Sequence, residues 1–313
     1  MRIAVTGSTG YIAQALIKHL ANQENEVLAI SRGQPITALA TLPGVQWLST
    51  ADGIPSAAAL RGCHAVVHLA GRAHTRVAHE GGRDLFDESN RVLALNCSDA
   101  SREAGVDRFV FVSTLGVHGG SSPKPVTENS PMTGVSPYAR SKIEAEQQLA
   151  ENYRNTPETL CIVRPPMVYG PSCPGNFPRL INLVRRGLPL PFASIHSRRS
   201  FIHVDNLAHF LGAVSSCQVP GGTYVIGDES DFTVPELIRM IGQAFGLPTR
   251  LIPFPPSLLL AAAHLVGRRG EMESLTQAME VDWSRARDFA GWTPPIPGRQ
   301  ALQDTLENYA RLS

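Results

Sequence analysis

Short β-branched and apolar runs, each long enough for one strand, alternate along this chain with stretches whose apolar residues return every three or four positions. The runs are Arg2–Thr6, Val27–Ser31, Val45–Leu48, Ala65–Leu69, Arg108–Ser113 and Leu160–Arg164. The helical rhythm predicts helices at 11–22, 86–104 and 138–152, the first visible in Ile12, Leu16, Ile17 and Leu20. Such alternation implies an α/β fold, a parallel sheet with helices on both faces. After Arg164 the texture changes. Prolines crowd the connections (Pro165, Pro166, Pro171, Pro174, Pro189, Pro191), with further clusters at 253–256 and 294–297. This pattern predicts a second lobe built from several insertions, with no single linker. Ser257–Val266 is apolar but too short to span a bilayer, and it predicts a buried or interfacial helix of that lobe.

At 313 residues the chain suggests about two domains, or one large α/β unit with an elaborated lobe. A net charge of +1 gives no support for nucleic acid or an anionic membrane as partner. The five cysteines (63, 97, 161, 173 and 217) are odd in number and form no Cys-x-x-Cys pair. That spacing fits a reduced cytoplasmic compartment and argues against a metal site. Met1 runs straight into the first strand, so no signal peptide is expected.

Candidate chemistry begins right after that strand, at Gly7-Ser-Thr-Gly10-Tyr-Ile-Ala13. Strand, glycine turn and helix in succession form a dinucleotide fingerprint. Gly7 would allow the tight turn, Gly10 the approach of backbone to a pyrophosphate, and Ala13 close packing of helix on sheet. The helix N-terminus would add amide donors and positive potential. Val-Val-His68-Leu-Ala-Gly71 ends the fourth strand, where small residues would let backbone lie against a nucleotide. Ser113 and Thr114 end the next strand with two hydroxyls. Ser-Pro-Tyr138-Ala-Arg-Ser-Lys142 places a phenol and an ammonium one helical turn apart on one face. The nearby cation is expected to lower the tyrosine pKa towards the working range of an acid or base.

Taken together these motifs resemble the extended short-chain dehydrogenase/reductase superfamily, in its nucleotide-sugar branch of NAD-dependent epimerases and dehydratases. The resemblance runs the length of the chain, through Asn90, Arg164-Pro-Pro-Met-Val-Tyr-Gly-Pro171 and Arg199-Ser-Phe-Ile-His-Val-Asp205. It implies a Rossmann doubly wound sheet over 1–165, taking in about 200–226. A smaller α/β substrate lobe would comprise 166–199 and 227–313. It also implies Thr114 as the catalytic hydroxyl, Tyr138 as acid/base, and Lys142 as the anchor that also holds the nicotinamide ribose. Implied cofactor contacts are Gly7, Thr9, Gly10, Tyr11, Ile12, Ser31, Arg32, Leu69, Ala70, Gly71, Asn90, Val112, Ser113 and Pro165, besides Tyr138 and Lys142. Implied substrate contacts are His74, Leu115, Gly116, Asn176, Leu190 and Arg199, with Asn176 and Arg199 on the diphosphate of a nucleoside-diphosphate sugar. A guanidinium suits that bidentate role. A homodimer through helices near 86–104 and 138–152 is expected by the same resemblance.

Dehydratases of this branch carry Asp-Glu after the catalytic threonine. Leu115 and Gly116 stand there instead, which speaks against water elimination. Two reactions stay open, reduction of a 4-keto sugar and 4-epimerisation with tightly bound NAD. Two details favour reduction. The second strand ends in Ser31-Arg32, without the acidic residue expected for the NAD ribose, and Arg32 suits the 2′-phosphate of NADP(H), with NAD(H) as the alternative. In addition, Arg72-Ala-His74, Gly187-Leu-Pro-Leu-Pro191 and Ser194-Ile-His-Ser-Arg-Arg-Ser200 resemble UDP-N-acetylquinovosamine and UDP-N-acetylfucosamine dehydrogenases. Those are cytoplasmic oxidoreductases of bacterial O-antigen and lipopolysaccharide synthesis. His118 stands where the family usually has tyrosine, and is expected to be a structural histidine with its hydrogen bonds satisfied.

Overall fold

The computed structural model describes residues 1–73, 79–80, 83–265, 267 and 269–312. Its strands are β1 (Arg2–Thr6), β2 (Glu26–Ser31), β3 (Val45–Ser49), β4 (Ala65–His68), the two-residue β5 (His79–Glu80) and β6 (Arg83–Asp84), β7 (Arg108–Val112), β8 (Leu160–Arg164), β9 (Met167–Tyr169), β10 (Arg198–His203), β11 (Gly222–Val225) and β12 (Asp231–Thr233). Seven of them form one sheet in the order β11-β8-β7-β4-β1-β2-β3. Every pairing within it is parallel. The expected doubly wound α/β sheet is therefore present.

Both faces of this sheet are covered, which is why its strands read as unbroken apolar runs. Side chains alternate between faces. Ile3 and Val5 join Leu16, Ile17, Leu207 and Phe210 of helices Tyr11–Asn22 and Val204–Ser215. Ala4 turns the other way, with Phe109, Phe111, Cys97, Ala145 and Leu149 beneath helices Leu93–Glu103 and Pro137–Asn152. The chain lays β1, β2 and β3 outwards, then returns to place β4 on the opposite side of β1. Ligands of such sheets bind at this reversal, beyond the carboxyl ends of the strands.

A second sheet, β12-β10-β9, joins β10 to β12 antiparallel and to β9 parallel. Helices Asn176–Arg185, Val234–Ala244 and Gly298–Arg311 pack on it through Phe177, Ile181, Ile241 and Leu302. Asp228 ties it to the large sheet's helices: its carboxylate accepts from Tyr169 Oη, the His203 amide and Asn206 Nδ2 at 2.9, 3.0 and 2.7 Å.

Three sequence expectations shift. The helix at 86–104 opens with a π-helical stretch, Asp87–Val92, before the α-helix Leu93–Glu103. Leu69 and Ser113 fall just outside β4 and β7. The apolar stretch at 257–266 forms helix Pro256–Leu265, but of its residues only Leu259 and Ala263 are buried, and Leu258 and Leu265 are 54% and 87% exposed. Being apolar on all sides, it can turn only one stripe inwards. Among the described residues no helix is long and apolar enough to cross a membrane.

Candidate active site

The glycine turn after β1 closes against the end of β4. Gly7 has φ +69°, and a Cβ there would lie 2.7 Å from Cα and N of Ala70. Only glycine permits that approach. Gly10 caps helix Tyr11–Asn22 in an extended conformation with no side-chain hydrogen bond, so the first-turn amides remain available to an anion. A cavity of about 390 Å³ opens in front, lined by Thr9, Arg32, Leu69, Ala70 and Gly71 among others. Arg32 makes no ion pair or hydrogen bond among the described residues, and its Cγ lies 3.1 Å from where a Cβ on Gly53 would stand. Asp52, Gly53, Glu88 and Ser89 also line the cavity. Sequence analysis missed them because Asp52 and Gly53 lie in a loop, and Glu88 and Ser89 in the π-helical stretch, all distant from the fingerprint.

Deeper in, Ser113 Oγ and His68 Nε2 are buried with no hydrogen-bond partner among the described residues. Orphaned buried atoms beneath a cradle that a Cβ would fill fit a polar ligand such as a dinucleotide. His68 Nδ1 contacts Thr6 Oγ1 at 3.0 Å, and burial followed by the Lys142 charge pushes its pKa down to about 3, so the ring is neutral.

Thr114, Tyr138 and Lys142 converge beside this cradle. Thr114 ends the turn after β7, and its Oγ1 accepts from the Gly116 amide at 3.1 Å, with its hydroxyl near enough to Tyr138 to oppose the rise of the phenol pKa. Ser136 caps the helix carrying Tyr138 and Lys142, and Pro137 at its first turn suits that start. Lys142 is buried. Its Nζ donates to the Val112 carbonyl at 2.9 Å and lies 4.4 Å from the Phe111 ring centroid. Burial lowers its pKa to about 8, against the opposing pull of Glu146. The tyrosine departs from expectation. Burial pushes Tyr138 up to about 12, and Thr114, not Lys142, is the group that opposes the shift. Desolvation dominates, so the phenol is held protonated.

Several expected contacts prove to be supports. Asn90, in the π-helical stretch, accepts from the Arg72 amide at 2.8 Å and donates to the Arg72 carbonyl and Ser141 Oγ at 3.1 and 3.0 Å. Ser141 in turn donates to the Tyr138 carbonyl at 2.9 Å. Asn90 thus fixes the Gly71 loop to the catalytic helix. The Ser31 hydroxyl is likewise spent on Gly33 O and Trp47 Nε1. Val112 and Pro165 offer carbonyls, already accepting from Lys142 and the Leu115 amide. Ile12 packs on the sheet core, and the Tyr11 ring turns into the second lobe.

Two expected substrate contacts are core residues. Leu115 packs with Val126, Val225 and Met279, and Leu190 lies in the second-lobe core with its backbone bonded to Arg250 and Ile252. A motif shows that a residue is near a site, and tertiary packing decides where its side chain points. Gly116 stays beside Thr114, whereas His74 lies outside the described residues. Asn176 is exposed at the start of its helix, with Oδ1 3.3 Å from Arg179 Nη1. Arg199 reaches the carbonyls of Gln277 and Gly120 at 2.8 and 3.4 Å, with no carboxylate partner among the described residues. His118 has both ring nitrogens occupied, by the Pro131 carbonyl and Arg164.

Comparison with known proteins agrees with this geometry. The model of the NAD dependent epimerase/dehydratase family matches residues 3–227. A UDP-glucose 4-epimerase of Vibrio cholerae is 29% identical over 318 residues, covering 98% of this chain and 95% of its own. A ceramide reductase of Caulobacter vibrioides is 28% identical over 297 residues, covering 93% and 86%. A solved UDP-glucuronic acid 4-epimerase from Bacillus cereus, in complex with UDP-glucuronic acid and NAD, shares the fold with a TM-score of 0.79 at 20% identity over 100% of both chains.

Proposed function

This chain belongs to the NAD-dependent epimerase/dehydratase family, and from that premise we propose that it reduces the C4 keto group of a UDP-2-acetamido-2,6-dideoxy-hexos-4-ulose. The products would be UDP-N-acetylfucosamine or UDP-N-acetylquinovosamine, for bacterial surface polysaccharide. The observation that carries this reading is a buried Tyr138 phenol held protonated beside Thr114, with no ionisable group at 115 or 116. A phenol held protonated is ready to give its proton to a ketone oxygen, as reduction requires, whereas oxidation of a sugar hydroxyl needs a base first.

Thr114 and Tyr138 hold the C4 oxygen, and Tyr138 delivers its proton there. The turn at Gly7 and Gly10, with Ala70 and Gly71, would hold a reduced nicotinamide cofactor, which would supply the hydride. Lys142, charged below pH about 8, steadies the phenolate left behind. Arg199 and Asn176 face the diphosphate, with the lobe of 166–199 and 227–313 enclosing the sugar. The unpaired Arg32 supports NADPH over NADH. Loss of reduced-nicotinamide absorbance on adding the 4-keto sugar tests the proposal.

The second reading is a UDP-sugar 4-epimerase with retained NAD, favoured by the nearly full-length similarity to the Vibrio enzyme. It would show no net loss of absorbance and would carry NAD through purification.

A further inference from the structure

Beneath the three reacting side chains lies a buried group that the reaction itself does not use. Arg164, the last residue of β8, is 5% exposed, and Glu146 is 2% exposed. Arg164 Nε lies 3.1 Å from both Glu146 oxygens, and Nη2 lies 2.5 Å from Oε2. Nη1 donates to His118 Nε2 at 3.1 Å and to the Glu128 carbonyl at 3.0 Å, and Nη2 reaches Met132 Sδ at 3.6 Å. All five guanidinium hydrogens are therefore placed. The partners come from three segments. Glu146 is one helical turn beyond Lys142, on the same face. His118 closes the short helix that begins after Thr114. Glu128 and Met132 belong to the loop that covers that helix.

His118 is fixed in one tautomer. Its Nδ1 lies 3.1 Å from the Pro131 carbonyl, which can only accept, so Nδ1 carries the hydrogen and Nε2 is the acceptor for Arg164. A second proton on the ring would set N–H against N–H and cation against cation.

We propose that His118, Glu146 and Arg164 are positioning residues that hold Thr114 at hydrogen-bonding distance from Tyr138 and keep Lys142 charged, with neutral His118 as the acid-sensitive joint. This rests on the catalytic reading of Thr114, Tyr138 and Lys142. The charged groups facing His118 are Arg164 from β8 and Glu146 from the catalytic helix. From the loop at 128–132 it meets the Pro131 carbonyl, while the Glu128 carboxylate is turned to the Val225 amide at 2.9 Å. Lys142 is faced by His68 from β4 and by Glu146 on its own helix. Burial, then Arg164, lowers the His118 pKa, with Glu146 and the Pro131 carbonyl opposing. With the folded value depressed, the joint is intact above the ordinary pKa of about 6.5 and fails as pH falls towards the folded value.

The test is the pH profile of kcat, with Tyr138→Phe as the control on the catalytic reading. His118→Gln keeps an acceptor for Arg164 and cannot take a proton, so its acid limb should flatten while kcat near pH 8 falls no more than about threefold. Glu146→Gln should move the alkaline limb to lower pH, because Lys142 loses the carboxylate that opposes its desolvation. A purely structural role would lower the active fraction alike at every pH and leave both limbs in place. Nitrogen NMR of labelled histidine in the ligand-free protein is the second readout. The ring whose signals vanish in His118→Gln should remain neutral, hydrogen on Nδ1, below pH about 6.5, and should respond to Glu146→Gln. The proposal is overturned if Tyr138→Phe is inactive while His118→Gln keeps the wild-type acid limb, or if the ring missing from the His118→Gln spectrum titrates near the free value. Turnover surviving in Tyr138→Phe would instead overturn the catalytic reading, and the NMR titration would then decide the positioning claim alone.

Discussion

At the scale of single residues, burial decides the chemistry. The Tyr138–Lys142 spacing was legible in the sequence, but the direction of the tyrosine shift was not. It depends on how much water Phe86, Thr114 and Val112 exclude, and those lie in other elements. Replacement of Tyr138 by Phe is expected to cut kcat by about 10²–10⁴-fold while cofactor affinity, read by fluorescence titration, changes little. With Tyr138 protonated to about pH 12, Lys142 sets the alkaline limit, so kcat/KM should decline above pH about 8. A plateau extending to pH 10 would contradict that assignment. Arg32→Ala should lose about tenfold in NADPH preference over NADH, measured as the ratio of kcat/KM values.

At the scale of elements, the glycine turn was the clearest signal, because its conformation leaves no other residue a place. Gly7→Ala would combine a φ of +69° with a Cβ pressed against Ala70. It should weaken NADPH binding by at least about tenfold and lower the melting midpoint, since strain of this kind costs about 1–3 kcal/mol. Unchanged affinity would mean the cofactor lies elsewhere. Less legible were the π-helical stretch around Asn90 and the buried roles of Leu115 and Leu190. Motif spacing carries no record of which way a side chain faces once segments from 126, 225 and 251 close over it. The seventh strand, Gly222–Val225, escaped notice because four residues opening on glycine give too short a pattern.

For the whole molecule, the alternating strands and helices to Arg164 specified the large sheet and placed the reversal between β1 and β4. The proline-rich remainder announced a second lobe without giving its sheet, since β9, β10 and β12 are drawn from segments far apart in the chain. Sedimentation should show a particle of twice the 33.8 kDa chain mass if the helices near 86–104 and 138–152 pair as expected. The central claim is the reduction, and absorbance of the reduced nicotinamide tests it directly. With purified protein, NADPH and the UDP-4-keto-6-deoxy-N-acetylhexosamine, the account expects one NADPH oxidised per sugar reduced. No oxidation, with NAD recovered from the protein as isolated and a sugar inverted at C4, would contradict it and establish the epimerase.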